Sequence, residues 1–298
     1  MPSDLSTISP AKRRTNAPRG QHRTHKHGRW RAIGSYLLLS ALALIVLIPL
    51  YITVVNSLLQ GNLIAHQPPP LFPVHPDWST YSTAWTEGDL GIYLRNSVIA
   101  TSIIVSGQLL TTIFAAYAFA FLEFPFKRTL FVVMLSTMMI PFEVTLVTNL
   151  TTITKLGWYN TFAGLTVPFL ATGFGTFLLR QAFRQLPKEL REAAELDGYG
   201  HFRFLFRIAL PLARPTVAAL AVFSFLGAWN QYLWPLVVTG DNNAIRTVQI
   251  GLKQLQATQA NQINVTLAGT IIAAAPLLIL LIIFQKQLVR GLTAGAVK

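Results

Sequence analysis

One carboxylate, Glu143, lies inside a long apolar stretch of this 298-residue chain, in the run Met139-Ile140-Pro141-Phe142-Glu143. A charge at such depth is costly, so it lines an aqueous path, pairs within a helical bundle, or is satisfied by backbone amides and water at a proline break. A second polar group, Asn230 and Gln231, interrupts another apolar stretch beside Trp229, Tyr232 and Trp234. Amide groups next to aromatic faces suit hydroxylated, weakly apolar ligands such as sugars and polyols. Asn and Gln also bond helix to helix, and Trp and Tyr also form interfacial belts, so both readings stand. Bond-making chemistry finds no comparable group. The chain has no Cys, which removes thiol nucleophiles and cysteine metal sites. It has no His-Glu-x-x-His, no Gly-x-Ser-x-Gly and no Walker-type phosphate loop, so the usual hydrolase and ATPase motifs are missing and no cofactor or metal site is expected here.

The elements that hold these residues are legible in the composition. Charged residues make up 12% of the chain, hydrophobic residues 52%, and mean hydropathy is +0.47. A soluble globule of this size would lack the charge to cover its surface. Six stretches are long and apolar enough to span a bilayer: Tyr36 to Asn56, Asn96 to Leu122, Leu130 to Leu150, Phe162 to Leu179, Thr216 to Val238 and Val265 to Phe284. None contains Lys or Arg, each of which costs roughly 2.5–3.5 kcal/mol at a helix centre. The expected fold is therefore an all-α polytopic membrane protein with six transmembrane helices.

The net charge of +13 admits two meanings, nucleic acid or membrane orientation, and its placement separates them. With the segments between spans assigned alternately to the two sides, one side holds 20 of the Lys and Arg residues and the other 4. The positive-inside rule puts the rich side, with both termini, in the cytoplasm. Residues 1–31, basic and without apolar periodicity, read as a disordered cytoplasmic extension close to anionic lipid headgroups, with no nucleic-acid role.

The densest internal block of positive charge surrounds Leu186-Pro187-Lys188-Glu189-Leu190-Arg191-Glu192-Ala193-Ala194-Glu195-Leu196-Asp197-Gly198. Pro187 suits a first helical turn, Glu189 and Glu192 suit its positive end, and Gly198 suits the left-handed position beyond its C-terminus, which predicts a helix from Pro187 to Asp197. Leu190, Ala193, Ala194 and Asp197 share one face at helical spacing, small and apolar at its centre, able to lie in a groove on a partner. A second helix should start near His201 and end before Pro211. From these residues alone, an ordinary loop between spans is an equal reading.

The series Glu192-Ala193-Ala194, Gly198, Ile208, Leu210-Pro211 resembles the Glu-Ala-Ala signature of the membrane subunits of bacterial ABC importers. The resemblance covers residues 33 to 298. It implies a type I ABC importer permease fold over 32–298, with a coupling loop at 181–214 whose first helix docks on an ATP-binding subunit. Glu192, Ala193, Ala194 and Gly198 would mediate docking, with Asp197 supporting the loop. Within the carbohydrate-uptake branch, Met139 to Glu143, Phe177 to Phe183 and Trp229 to Leu236 look like family segments, the last closest to glycerol-3-phosphate permeases. The ending Arg290 to Lys298 resembles the tail of the smaller maltose permease subunit, so Gly291, Leu292, Thr293 and Gly295 would reach the ATPase pair. The resemblance further implies one half of a heterodimeric path in the bacterial inner membrane. Its partners would be a second permease subunit, two copies of an ATP-binding subunit holding ATP and Mg, and an extracytoplasmic solute-binding protein. The expected solute is sn-glycerol-3-phosphate or a glycerophosphodiester, then a disaccharide, and Glu143, Trp229, Asn230, Gln231 and Tyr232 are the candidate path residues. An ion-coupled carrier or an intramembrane enzyme would need no coupling helix.

Overall fold

The computed structural model describes residues 25–64, 70–73, 75–240 and 244–293, with 25–32, 62 and 287–293 described as backbone only. The chain divides into two compact units, Met1–Tyr51 and Ile52–Lys298. All of the first unit's described part belongs to α1 (His25–Ser57), whose apolar portion Ile33–Ser57 has a mean hydropathy of 2.7. The helix starts at His25, inside the stretch expected to be irregular, and residues 1–24 lie outside the described residues.

The second unit begins with the end of α1, the short α2 (Gly61–Ile64) and α3 (Ser79–Glu87). The Thr80 hydroxyl donates to the Ser57 carbonyl at 2.7 Å, satisfying an end group of α1. Next comes α4 (Leu90–Phe121), against which most of the later long helices pack. The third apolar stretch is two helices, α5 (Lys127–Thr137) and α6 (Phe142–Lys155), meeting at 99°. Pro141 has no N–H for the carbonyl of Thr137, the last residue of α5, and its ring excludes that carbonyl, so the helix ends there. The fourth stretch also bends, by 43°, between α7 (Phe162–Thr166) with its 3₁₀ turn Val167–Phe169 and α8 (Gly173–Arg184).

Beyond α9 (Lys188–Leu196), α10 (His201–Phe204) runs through a π-helical turn at Leu205–Ala209 into α11 (Leu210–Leu212). The helix expected to end before Pro211 thus continues past it. A π turn closes with a wider hydrogen bond, here from the N–H of Leu210 to the carbonyl of Leu205, and this widening accommodates the proline ring that would otherwise end the helix. After an 80° bend come α12 (Arg214–Trp229), α13 (Leu233–Val238), α14 (Val248–Thr258) and α15 (Ile263–Thr293). The fifth apolar stretch is therefore not one helix over Thr216 to Val238: it breaks at Asn230–Tyr232, where Pro235 cannot donate to the carbonyl of Gln231. Among the described residues three helices are long and apolar enough to cross a membrane alone, and the number rises to six if each bent pair is one span.

Close to the basic loop the core is formed by Ala116 and Tyr117 of α4, Leu179 and Phe183 of α8, Ala194 of α9, and Phe204, Leu205 and Ala209 of the next helix. A second cluster joins Ala100, Ile153, Leu165, Trp234 and Val238. The first ties α9 to the spans; the second packs α13, just beyond the break at Asn230–Tyr232, against α4, α6 and α7.

Candidate functional site

Local sequence shapes α9 at both ends. Pro187, with φ −56° and ψ 136°, occupies the N-cap, and Glu189 sits in the first turn against the positive end of the helix. At the other end Gly198 takes φ +74°. Its N–H donates to the carbonyl of Glu195 at 3.0 Å and that of Tyr199 to Ala194 at 2.8 Å, the paired bonds of a Schellman stop. The apolar contact that accompanies such a stop is Tyr199 packed against the cluster containing Ala194.

The two alanines part company. Ala194 is buried in its own chain, whereas Glu192, Ala193, Leu196 and Asp197 are exposed, Leu196 at 89%. The expected face of Leu190, Ala193, Ala194 and Asp197 is corrected accordingly: neighbouring residues on a helix point about 100° apart, and Ala194 takes the inward direction. Leu196, adjacent to the outward pair, was missed because an exposed leucine looks in sequence like one more core position. Ile208 and Leu210 are half-buried against the same cluster and Pro211 lies just beyond the π turn, so these signature positions shape the loop without forming its outer face.

Arg191, unassigned from the sequence, holds α9 to α4. Its Nη1 donates to the carbonyl of Phe121 at 2.8 Å and its Nε to Glu195 Oε1 at 2.8 Å. The hydroxyl of Tyr117 and His201 Nδ1 lie 3.0 Å apart, a second tie from the loop to α4. Between these parts lies a recess of ≈ 480 Å³ bordered by Phe121, Phe183, Arg184, Lys188, Arg191, Glu192 and Glu195.

Of the residues considered for a solute path, Glu143, Asn230, Gln231 and Tyr232 come together. They line one recess of ≈ 400 Å³ with Phe142, Phe169, Leu233 and Trp234. Glu143 sits in the first turn of α6 and makes no hydrogen bond or ion pair among the described residues. The Asn230 amide donates to the carbonyl of Leu226 at 3.0 Å. Trp229 does not belong with them. It is buried, stacked on Phe225, and its Nε1 donates to the carbonyl of Ala273 at 3.2 Å, a helix-to-helix bond. Trp234, its neighbour in the same motif, closes the recess with rings set edge-on to Phe142 and Phe169.

Gln231 also borders a smaller recess of ≈ 240 Å³ with Gln108 and Ser224. The Ser224 hydroxyl is buried there without a partner among the described residues. A lone serine among apolar residues gives no sequence signal for such a position. At the far end of the chain, Gly291, Leu292 and Thr293 close α15, and Gly295 lies outside the described residues.

The profile of a family described as "Binding-protein-dependent transport system inner membrane component" matches residues 107–294. The "sn-glycerol-3-phosphate transport system permease protein UgpE" of Pectobacterium atrosepticum is 35% identical over 268 residues, covering 87% of this chain and 95% of that one. The protein of the same name from Agrobacterium fabrum is 36% identical over 270 residues, with coverage of 87% and 94%. Among solved structures, a chain from "a bacterial ABC transporter involved in the import of the acidic polysaccharide alginate" superposes with a TM-score of 0.75 at 22% identity, over 89% of this chain and 98% of that one. Another, from an alginate ABC transporter in complex with an alginate pentasaccharide-bound periplasmic protein, gives 0.62 at 14% identity, over 85% and 94%.

Proposed function

Because this chain belongs to the family of binding-protein-dependent transport system inner membrane components, as a permease subunit of an ABC importer, we propose that its solute is sn-glycerol-3-phosphate or a glycerophosphodiester. Two things support this. Relatives at 35% and 36% identity carry that solute in their names. In the recess that Glu143 also lines, the Asn230 and Gln231 amides and the Tyr232 hydroxyl offer neutral hydrogen-bonding groups beside aromatic planes, which suit glycerol hydroxyls.

In this reading the outward face of α9, with Glu192, Ala193 and Leu196, docks on an ATP-binding subunit, and Asp197 and Gly198 shape its end. Two such subunits hold ATP and Mg; a second permease subunit completes the path, and an extracytoplasmic binding protein delivers the solute. The basic loop and both termini face the cytoplasm. The observation that carries the mechanism is the bond from Arg191 to Phe121. With Ala194 buried in the core beneath it, α9 moves together with α4. Closure of the ATP-binding subunits then displaces α9, the spans rock as bodies, and the recess changes the side to which it opens. No group in this chain performs bond chemistry in that cycle.

The complete transporter in proteoliposomes, supplied with its binding protein and internal ATP, should accumulate labelled sn-glycerol-3-phosphate saturably. ATP-dependent accumulation of maltose with none of sn-glycerol-3-phosphate would overturn the solute assignment and leave the permease role standing.

A further inference from the structure

The proposed solute carries a phosphate, and the path recess holds no cation. Cations gather elsewhere, at the end of α4. A recess of ≈ 430 Å³ is lined there by Phe119, Glu123, Lys127, Arg128, Phe131 and Arg180. We propose that this recess is a phosphate-ester site, in which Arg180 and Arg128 bind the phosphate and the rings of Phe119 and Phe131 take the adjoining alkyl part.

The arrangement of Arg180 supports this. Its Nε donates to the carbonyl of Phe119 at 3.1 Å, and its guanidinium carbon lies 4.0 Å above the ring of Phe131. These contacts fix the guanidinium plane and leave both terminal amino groups without a partner among the described residues. A planar fork held in this way matches two phosphate oxygens. Lys127 is committed differently. Its Nζ donates to the carbonyl of Leu122 at 2.7 Å and lies 3.2 Å from Glu123 Oε1, so it engages the one carboxylate lining the recess. Arg128 makes no hydrogen bond or ion pair among the described residues and is exposed. Three cations thus face one carboxylate, which is itself 92% exposed and weakly held. No second carboxylate lines the recess to balance the other two.

Phosphate esters reach this place from two sources. Anionic phospholipid headgroups lie at the cytoplasmic membrane surface, where basic recesses between spans collect them. A phosphorylated solute leaving the path on that side is the other, and this arm alone rests on the proposed solute. The same chemistry would hold either.

The test uses the complete transporter in detergent, titrated separately with dioleoylphosphatidylglycerol and with sn-glycerol-3-phosphate and monitored by native mass spectrometry. Wild type is compared with Arg128→Gln and with the Arg128→Gln, Arg180→Gln pair. Arg128→Gln breaks no bond among the described residues, so it should fold as wild type does. For at least one probe the apparent affinity should fall about threefold in Arg128→Gln and about tenfold in the pair. A fall for phosphatidylglycerol alone assigns the site to lipid, and a fall for sn-glycerol-3-phosphate alone assigns it to solute. Unchanged affinity for both probes in Arg128→Gln and in the pair overturns it. Uptake assayed in parallel separates the two proposals: Arg-dependent lipid binding without sn-glycerol-3-phosphate uptake keeps this site and removes the solute assignment.

Discussion

Arg191 Nη1 donates to the carbonyl oxygen of Phe121 at 2.8 Å, joining α9 to the last residue of α4. Pro125 stands where a continuing helix would have supplied that carbonyl with an N–H, so the group would otherwise be an orphan of the helix end. Two neighbouring carbonyls are met in the same way, Phe119 by Arg180 and Leu122 by Lys127. The C-terminus of α4, the negative end of its dipole, is thereby closed by cations from three different parts of the chain. In the coupling proposed for α9, that end is the junction with a membrane span.

Arg191→Ala should therefore uncouple more than it unfolds. A charge-assisted bond contributes roughly 1.5–3 kcal/mol, and the partly exposed Arg191 keeps the lower part of that range at most. Uptake in proteoliposomes should fall several-fold, with ATP hydrolysis less affected. Glu195→Ala removes only the exposed pair with Arg191, about 0.5 kcal/mol or less, and should transport nearly as wild type. Equal uptake by the two variants would contradict the role given to the bond.

The outward face of α9 gives a sharper expectation. Leu196 is 89% exposed and makes no core contact, so Leu196→Asp should leave thermal stability within about 0.5 kcal/mol of wild type. In a docked assembly the same change buries a charge, and the ATP-binding subunits should co-purify poorly. Glu192→Arg should likewise abolish ATP-driven uptake while membrane insertion stays normal. Full co-purification and uptake by both variants would remove the docking assignment.

Gly198→Ala tests the Schellman stop. A Cβ there would meet nothing within 4 Å, so the cost is that of φ +74° alone, about 1 kcal/mol. The melting midpoint should drop by a few degrees. An unchanged midpoint would mean that the end of α9 readily finds another stop.

Much of this was readable from residue order, for reasons that differ by element. The ends of α9 were legible because proline, an acidic first turn and glycine act locally. The spans were legible because hydrocarbon tolerates few charges. The direction of Ala194 was not legible, since two adjacent alanines are equivalent until α4 and α8 lie against one of them. Nor was the difference between Trp229 and Trp234, because both sit in one aromatic motif and only the break at Asn230–Tyr232 sends one ring to α15 and the other to the recess. Arg191 resembled any basic loop residue until the end of α4 was placed beside it.

For the path, Asn230→Ala and Glu143→Ala should alter uptake more than assembly with the ATP-binding subunits. Both side chains border the recess and neither is buried in a core, so folding should change little. The Michaelis constant for solute should rise, with basal ATP hydrolysis kept. If both variants transport as wild type with an unchanged solute range, the recess is not the path.

Trp234 holds the frame of that recess through a bond whose origin is a proline. Its Nε1 donates to the carbonyl of Gly164 at 3.1 Å. In an unbroken helix that carbonyl would accept from residue 168, which is Pro168 and has no N–H. The indole thus replaces a missing backbone donor at a buried position, tying α13 to α7 beside the recess. Trp234→Phe keeps most of the ring packing against Phe142 and Phe169 but leaves the Gly164 carbonyl unsatisfied, which costs roughly 1–3 kcal/mol. Unfolding in mild detergent should start at lower denaturant, and solute affinity should fall with it. Trp229→Phe should weaken folding by a similar amount through Ala273 while leaving solute affinity near wild type. If Trp229→Phe shifts solute affinity as much as Trp234→Phe does, Trp229 is returned to the path and the division between the two tryptophans fails.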